Sequence, residues 1–330
     1  MLFYIIRRLS YMVIILLAVS LIAFIIIQLP PGDYLSSYII TLRSSGQMVD
    51  EAEIAALRKQ YGLDLPIYGQ YFVWMWKMLH GDLGRSFQWN KPVSDLIAER
   101  LALTIILSLF TLAFTYAVAI PIGIYSATHQ YSVGDYTFTI AGFAGLATPN
   151  FLFALILMFV FYKYFGLSAG GLFSVEYARS AWSMGKVIDM LKHLPIPIIV
   201  IGTAGTAWLI RVMRNCLLDE LRKQYVITAR AKGVAERSLL FKYPVRIAIN
   251  PIISTIGWTL PQIISGAVIT AIVLGLPTTG PLLFRALMSQ DMYLAGSMIM
   301  LLSFLTVIGT FISDLILVWV DPRIRYEKSV

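Results

Sequence analysis

The run Leu9-Ser10-Tyr11-Met12-Val13-Ile14-Ile15-Leu16-Leu17-Ala18-Val19-Ser20-Leu21-Ile22-Ala23-Phe24-Ile25-Ile26-Ile27-Gln28-Leu29 holds no charge over 21 residues. At about 1.5 Å rise per residue a helix of that length reaches roughly 30 Å, the thickness of a bilayer core. It reads as a first membrane span. A cleaved signal peptide would have a shorter apolar core with an Ala-x-Ala-like site after it, and neither is present, so an uncleaved anchor is expected.

The rest of the chain repeats this chemistry. Apolar residues make up 58% of the 330 and charged residues 13%, and the mean hydropathy is +0.76. That composition cannot furnish a water-exposed surface. Uncharged runs cover Leu101 to Thr128, Tyr136 to Tyr162 and Leu194 to Ile210, and Leu294 to Val320 contains one charge, Asp314. The stretch Ile247 to Phe284 is uncharged for 38 residues, on the order of 57 Å as one helix and too long for a bilayer. Pro251, Gly257 and Pro261 can bend it, and Gly275, Pro277, Gly280 and Pro281 should end it, leaving a span near Ile252 to Ala271. The expectation is an all-α integral membrane protein with six transmembrane helices.

Orientation follows from Lys and Arg in the short loops. With both termini inside, the inner segments carry 14 basic residues, among them Arg7, Arg8, Arg211, Arg214, Arg230, Lys232 and Arg323, whereas the two short outer loops carry 5. Both termini are therefore predicted to be cytoplasmic. The net charge of +8 reads as topology against anionic lipid rather than as nucleic-acid binding. One cysteine, Cys216, excludes an internal disulfide framework, and three scattered histidines offer no metal cluster. No cofactor is expected. The divisions are 1–29 for the N-terminus and first span, 30–100 for an extracytoplasmic subdomain, 101–320 for a five-helix core and 321–330 for a cytoplasmic tail.

Two excursions leave the bilayer. Residues 30–100 hold Tyr61, Tyr68, Tyr71, Phe72, Trp74, Trp76, Phe87 and Trp89, enough to fill a small core at headgroup level or to face an extracytoplasmic partner. Asp50 is a candidate N-cap for a helix stopping near Gly62, with turns expected at Pro66, Gly69, Gly81-Asp82 and Gly84. The inner excursion, 214–248, contains Thr228-Ala229-Arg230-Ala231-Lys232-Gly233 and then Glu236-Arg237. This is a short basic helix with a glycine stop. Ala229 and Ala231 would give it a flat face for a groove on another protein, where its Arg and Lys could meet carboxylates. The bland alternative is a solvated topogenic loop.

These residues resemble the integral-membrane permease subunits of ABC importers for dipeptides, oligopeptides and nickel. The likeness runs from Ile6-Arg7-Arg8-Leu9 and Leu29-Pro30-Pro31-Gly32-Asp33 through Leu57 to Pro66, Gln70-Tyr71, Gly81-Asp82-Leu83-Gly84-Arg85-Ser86-Phe87 and Pro92-Val93. Tyr225 to Gly233 is similar to the family's cytoplasmic signature, and Asp314 and Asp321-Pro322-Arg323-Ile324-Arg325 also match. Departures are Ala271, Leu274 and Pro277-Thr278-Thr279-Gly280, where the family usually has Glu, Phe and Pro-Gly-x-Gly, and Tyr243-Pro244-Val245-Arg246 after the signature.

The resemblance implies a type I ABC importer permease fold and a non-catalytic subunit working with a second homologous permease, cytoplasmic ATPase subunits and an extracytoplasmic solute-binding protein. It implies that Thr228, Ala229, Arg230, Ala231, Lys232, Gly233, Glu236 and Arg237 engage the ATPase. The sequence has no Gly-x-x-x-x-Gly-Lys-Ser/Thr loop with which to hydrolyse ATP itself. Small and weakly polar residues, including Asn150, Gln262 and Ser265, are the candidate pathway lining. Peptides are the expected cargo and oligosaccharides the alternative; nickel lacks His or Cys ligands in the spans. An ion-coupled secondary transporter is the rival of another class, but Asp314 alone is ionisable within a span and sits near its end.

Overall fold

The computed structural model describes residues 2–28, 59, 64–86, 88–166, 170–256, 259, 268–289 and 291–320. Its named elements are all helical: α1 (Leu2–Gln28), α2 (Ile67–Leu79), α3 (Val93–Thr128), α4 (Val133–Ala147), α5 (Asn150–Phe165), α6 (Val175–Ala178), α7 (Met184–His193), α8 (Pro195–Leu221), α9 (Gln224–Ala231), α10 (Glu236–Lys242), α11 (Pro244–Ala248), α12 (Val268–Val273), α13 (Thr279–Met288) and α14 (Met292–Val320). Residues 250–256 are also helical. The expected helix after Asp50, its stop at Gly62, the Pro30 to Asp33 motif, most of Leu57 to Pro66, the aromatics Tyr61 and Phe87, and the Asp321 to Arg325 motif lie outside the described residues.

Among the described residues, four helices are long and apolar enough to cross a membrane, spanning Ile6–Ile25, Val93–Thr128, Pro195–Leu221 and Met292–Ile316. The run Tyr136 to Tyr162, expected as one crossing, is made of two helices, α4 and α5, meeting at 105°. Pro149 is the cause. It has no N–H to continue the ladder, and its ring drives Thr148 into an extended conformation, φ −87 and ψ 119. On one side of the break the Thr148 amide and hydroxyl both donate to the Ala144 carbonyl, at 3.1 and 2.8 Å, and on the other the amides of Leu152 and Phe153 donate to the Pro149 carbonyl, where α5 begins. Counting the bent pair as one crossing gives five spans. Half of the expected span near Ile252 to Ala271, residues 257, 258 and 260–267, lies outside those described.

Two compact units divide the chain, one of residues 1–102 and 278–305, the other of residues 103–277 and 306–330. In the first, Val93, Leu96, Ile97, Leu294 and Met298 make a core joined by Trp74 and Trp89. Tyr71 and Trp74 pack on Phe24 of α1 with ring centroids 5.4 and 5.9 Å away. The Tyr71 hydroxyl shares a 2.8 Å hydrogen bond with Ser20, while Tyr68, Phe72 and Trp76 are exposed. Gly69, expected in a turn, lies inside α2, because Pro66 starts that helix by accepting the Gly69 amide at 2.7 Å.

Gly81-Asp82 and Gly84 do turn the chain, with φ of 79 at Gly81 and 76 at Gly84. The loop that follows is stitched to the start of α14 by Asp291, fully buried. Its carboxylate accepts the Ser86 hydroxyl at 2.5 Å and the Leu294 amide at 3.3 Å. A Cβ on Gly84 would lie 2.6 Å from the buried Tyr293 ring, whereas one on Gly81 would meet nothing within 4 Å.

The second unit is organised around α8, whose Leu209, Met213 and Leu217 pack with Ala119, Val245 and Ile252. Small residues set the spacing. A Cβ on Gly123 of α3 would lie 2.6 Å from Met213, and one on Gly145 of α4 would lie 2.8 Å from Thr203, so these backbones approach α8 as glycine-mediated helix pairs do in membranes.

Gly84 and Gly81 provide a paired test. Replacing either by Ala imposes a left-handed backbone on a side chain, about 1–2 kcal/mol, but only Gly84→Ala also drives a methyl into Tyr293. Thermal unfolding in detergent should therefore show a clearly larger loss for Gly84→Ala. Equal losses would contradict the packing of this loop on α14.

Candidate functional site

α8 does not stop at Ile210, where the uncharged run ends, but continues to Leu221. Arg211 and Arg214 are therefore helical rather than part of a loop. After Arg222 the backbone turns at Lys223, extended at φ −71 and ψ 148, and α9 begins. Its end is a Schellman turn: the Gly233 amide donates to the Arg230 carbonyl at 3.0 Å and the Val234 amide to the Ala229 carbonyl at 3.3 Å. That geometry requires a positive φ, which Gly233 supplies at 77. Open space surrounds the position, so Gly233 is there for its backbone and not for close approach.

α10 then folds back on α9. Val226, Ala229 and Leu239 form a closed apolar cluster, with Tyr225, Val234 and Tyr243 packed at its edge. Residues 224–243 thus carry their own small core, which a solvated topogenic loop would not need. The tie to α8 is the Tyr225 hydroxyl, donating to Glu220 at 2.5 Å. Burial pushes that hydroxyl up from its ordinary pKa, and the Glu220 carboxylate adds to the effect. It stays a donor throughout the physiological range.

The eight expected coupling residues divide by position. Thr228, Arg230, Ala231, Lys232, Gly233, Glu236 and Arg237 are exposed, and Ile227 is exposed beside them. Ala229 departs from the expected flat outer face: it is buried with Val226 and Leu239. The reason is tertiary, since the face of α9 that carries Ala229 is the one α10 covers. Arg230 and Glu236 meet each other, Nε to Oε1 at 2.5 Å and Nη2 to Oε2 at 3.1 Å. The Arg230 hydrogen bonds hold the Glu236 carboxyl below the usual carboxylate range. Both are exposed, so this pair is screened by salt and orients α9 against α10 more than it stabilises them.

One interaction was not anticipated. Arg214 grips Asp135, at the start of α4, with Nε to Oδ1 at 3.0 Å and Nη2 to Oδ2 at 2.9 Å. Asp135 is 3% exposed. Its carboxylate also accepts the Tyr131 amide at 3.1 Å, and its own amide donates to the Ser132 hydroxyl at 3.2 Å. Ser132-Val133-Gly134-Asp135 is a Ser-x-x-Asp capping pattern that announces the start of α4. Its partner 79 residues further on has no local signal.

Among the candidate pathway residues, Asn150 is half-buried at the first turn of α5, beside the Pro149 bend. Gln262 and Ser265 lie outside the described residues, as do Gly257 and Gly266.

Several helices among the described residues are long and apolar enough to cross a membrane, which defines an integral membrane protein. A family model described as binding-protein-dependent transport system inner membrane component matches residues 119–326, and its N-terminal counterpart matches residues 1–108. The chain is 36% identical over 324 residues to an oligopeptide transport system permease protein of Bacillus subtilis, covering 98% of this chain and 99% of that one. A dipeptide transport system permease protein of Alkalihalophilus pseudofirmus is 29% identical over 340 residues, with 99% and 100% covered. A peptidoglycan transport system permease protein of Agrobacterium fabrum is 28% identical over 361 residues, with 98% of each covered. The chain belongs to the family of binding-protein-dependent transport system inner membrane components. It is a membrane permease subunit and not an enzyme; ATP hydrolysis falls to partner subunits.

The latch between α9 and α10 can be tested. Leu239 is fully buried, and Leu239→Ala should cost about 2–5 kcal/mol of local stability. Hydrogen exchange across residues 224–243 should accelerate while the interior of α8 keeps its protection. Unchanged exchange in this segment would mean that α9 and α10 are not held by their shared core.

Proposed function

We propose that this chain forms half of the translocation pathway of an ATP-driven importer for peptides. A solute-binding protein delivers the peptide on the outer side, a second homologous permease completes the pathway, and cytoplasmic ATPase subunits dock on residues 228–237. In this reading the chain crosses six times, both termini are cytoplasmic, residues 30–100 form an extracytoplasmic subdomain, and 214–248 is the coupling segment.

The observation that carries the reading is the self-contained helix pair α9–α10. A two-state change of the spans requires differential contact between a partner and a stiff element. A capped helix with its own apolar core, fixed to the end of a bilayer-length helix, is such an element. Exposed Ile227, Thr228 and Ala231 offer a small, weakly apolar face, with Lys232 and Arg237 free to meet carboxylates. In this reading selection of cargo falls to the binding protein, because the uncharged runs that make up the spans' interiors offer no charged side chain for reading a peptide terminus. The peptide assignment draws on the relatives named for oligopeptide and dipeptide transport.

Asn150, Gln262 and Ser265 are proposed to line the pathway. Single cysteines at these positions, in a Cys216→Ser background, should react with a water-soluble thiol reagent in at least one nucleotide state. Protection of all three in every state would remove them from the lining.

Transport itself is tested by reconstitution. The complete complex in proteoliposomes, given its binding protein and ATP, should accumulate peptide, and Gly233→Asp should abolish uptake while the subunit still inserts. Calorimetry of the binding protein should show tight binding of peptides. Binding of an oligosaccharide with no peptide bound would overturn the cargo, and full substrate-stimulated ATPase activity in Gly233→Asp would overturn the docking assignment.

A further inference from the structure

We propose that the Asp135–Arg214 pair is a positioning clamp that makes the coupling segment, α8 and α4 move as one piece. The proposal rests on the docking reading of α9–α10 and identifies how a displacement there would enter the spans.

The placement of the pair is the first reason. Arg214 lies two turns before the end of α8, and Glu220 on the last turn of the same helix holds Tyr225 at the start of α9. A continuous helix joins the two contacts, so a push on α9 reaches Arg214 without passing a flexible joint. Arg214 then transmits it to α4 through two hydrogen bonds to a carboxylate that is 3% exposed. A planar guanidinium on a planar carboxylate fixes direction as well as distance, which a Lys point charge would not.

The second reason is what the Asp135 carboxylate does besides. It accepts the Tyr131 amide at 3.1 Å, closing the turn before α4, in which Tyr131 has a φ of 62. Removing the carboxylate therefore frees the guanidinium and loosens the turn at once. Further along α4, a Cβ on Gly142 would touch Ala207 at 3.7 Å and one on Gly145 would lie 2.8 Å from Thr203. α4 is thus fastened to α8 at three levels, the first ionic and the others by close backbone approach.

The third reason is what lies at the other end of α4. The ladder breaks at Thr148 and Pro149, and α5 leaves at 105°. A rigid pair α8–α4 that moves against α5 needs a joint, and the only break between α4 and α5 is at this proline. Asn150, a proposed pathway residue, sits on the far side of it. Motion of the clamped pair would therefore be felt first at the pathway.

A plain structural staple would also be buried and bidentate, so the test must separate coupling from stability. Asp135→Asn, Arg214→Gln, Arg214→Lys and the charge swap Asp135→Arg with Arg214→Asp would each be assembled into the complete complex and reconstituted with binding protein and ATP. Three readouts are needed: co-purification of the ATPase subunits, peptide imported per ATP hydrolysed, and melting temperature. The expected result is that the ATPase subunits still co-purify with Asp135→Asn and Arg214→Gln while import per ATP falls about tenfold or more. Arg214→Lys should fall between these and the wild type, and the swap should recover a substantial part of the ratio.

Wild-type import per ATP in Asp135→Asn or Arg214→Gln would overturn the clamp. So would a loss that follows the melting temperature alone and is not restored by the swap. If either of those variants fails to assemble, Arg214→Lys decides in the same way, by its import per ATP at matched assembly. Failure of the docking reading looks different: ATPase activity would then stay coupled in the Gly233→Asp complex, whichever way the Asp135 variants behave.

Discussion

A bilayer offers no water to an unpaired backbone amide or carbonyl, and the spans of this chain answer to that constraint. It makes the chain helical, and it makes each interruption of a helix a place where the loose groups have to be retied. The break at Pro149 shows this most plainly. Proline removes one donor and displaces Thr148, whose amide and hydroxyl both turn to the Ala144 carbonyl, and α5 starts afresh on the Pro149 carbonyl. Outside the spans, the end of α9 is closed by ordinary capping: the left-handed backbone of Gly233 lets two amides reach back to the last carbonyls of α9.

Side-chain packing then decides which helices act together. α8 is the centre of its unit because glycines on α3 and α4 let their backbones come within reach of Met213 and Thr203. Close approach of that kind replaces the hydrophobic driving force, which lipid largely removes between spans. Polar contacts add direction: Asp135–Arg214 joins α4 to α8, and Glu220–Tyr225 joins α8 to α9. Asp291 plays the corresponding part in the other unit, holding the Gly84 to Pro92 loop against the first turn of α14.

Much of this was legible from residue order, and the reasons differ by element. Uncharged runs revealed the spans because hydrocarbon excludes charge, and Gly233 revealed the end of α9 because few other residues adopt its backbone conformation. The run Tyr136 to Tyr162 did not disclose its bend, because composition counts apolar residues and is indifferent to a single Pro149. The length of α8 was understated for the opposite reason: Arg211 and Arg214 end an apolar run without ending a helix. Ala229 could not be assigned a face from an eight-residue helix, since the face that is buried depends on α10 folding back. Asp135 advertised its capping role through Ser132, but a pairing across 79 residues is a product of the fold and leaves no mark in either segment.

The account's central claim is that α9 presents one face to the ATPase and keeps the other for its own core. Site-directed cross-linking measures this directly. In a Cys216→Ser background, single cysteines at Ile227, Ala231 and Ala229 would be treated with a short bifunctional thiol reagent in the assembled complex. The account predicts adducts with the ATPase subunit from Ile227→Cys and Ala231→Cys and none from Ala229→Cys. Cross-linking from Ala229→Cys as efficient as from the other two, or from none of the three, would contradict it.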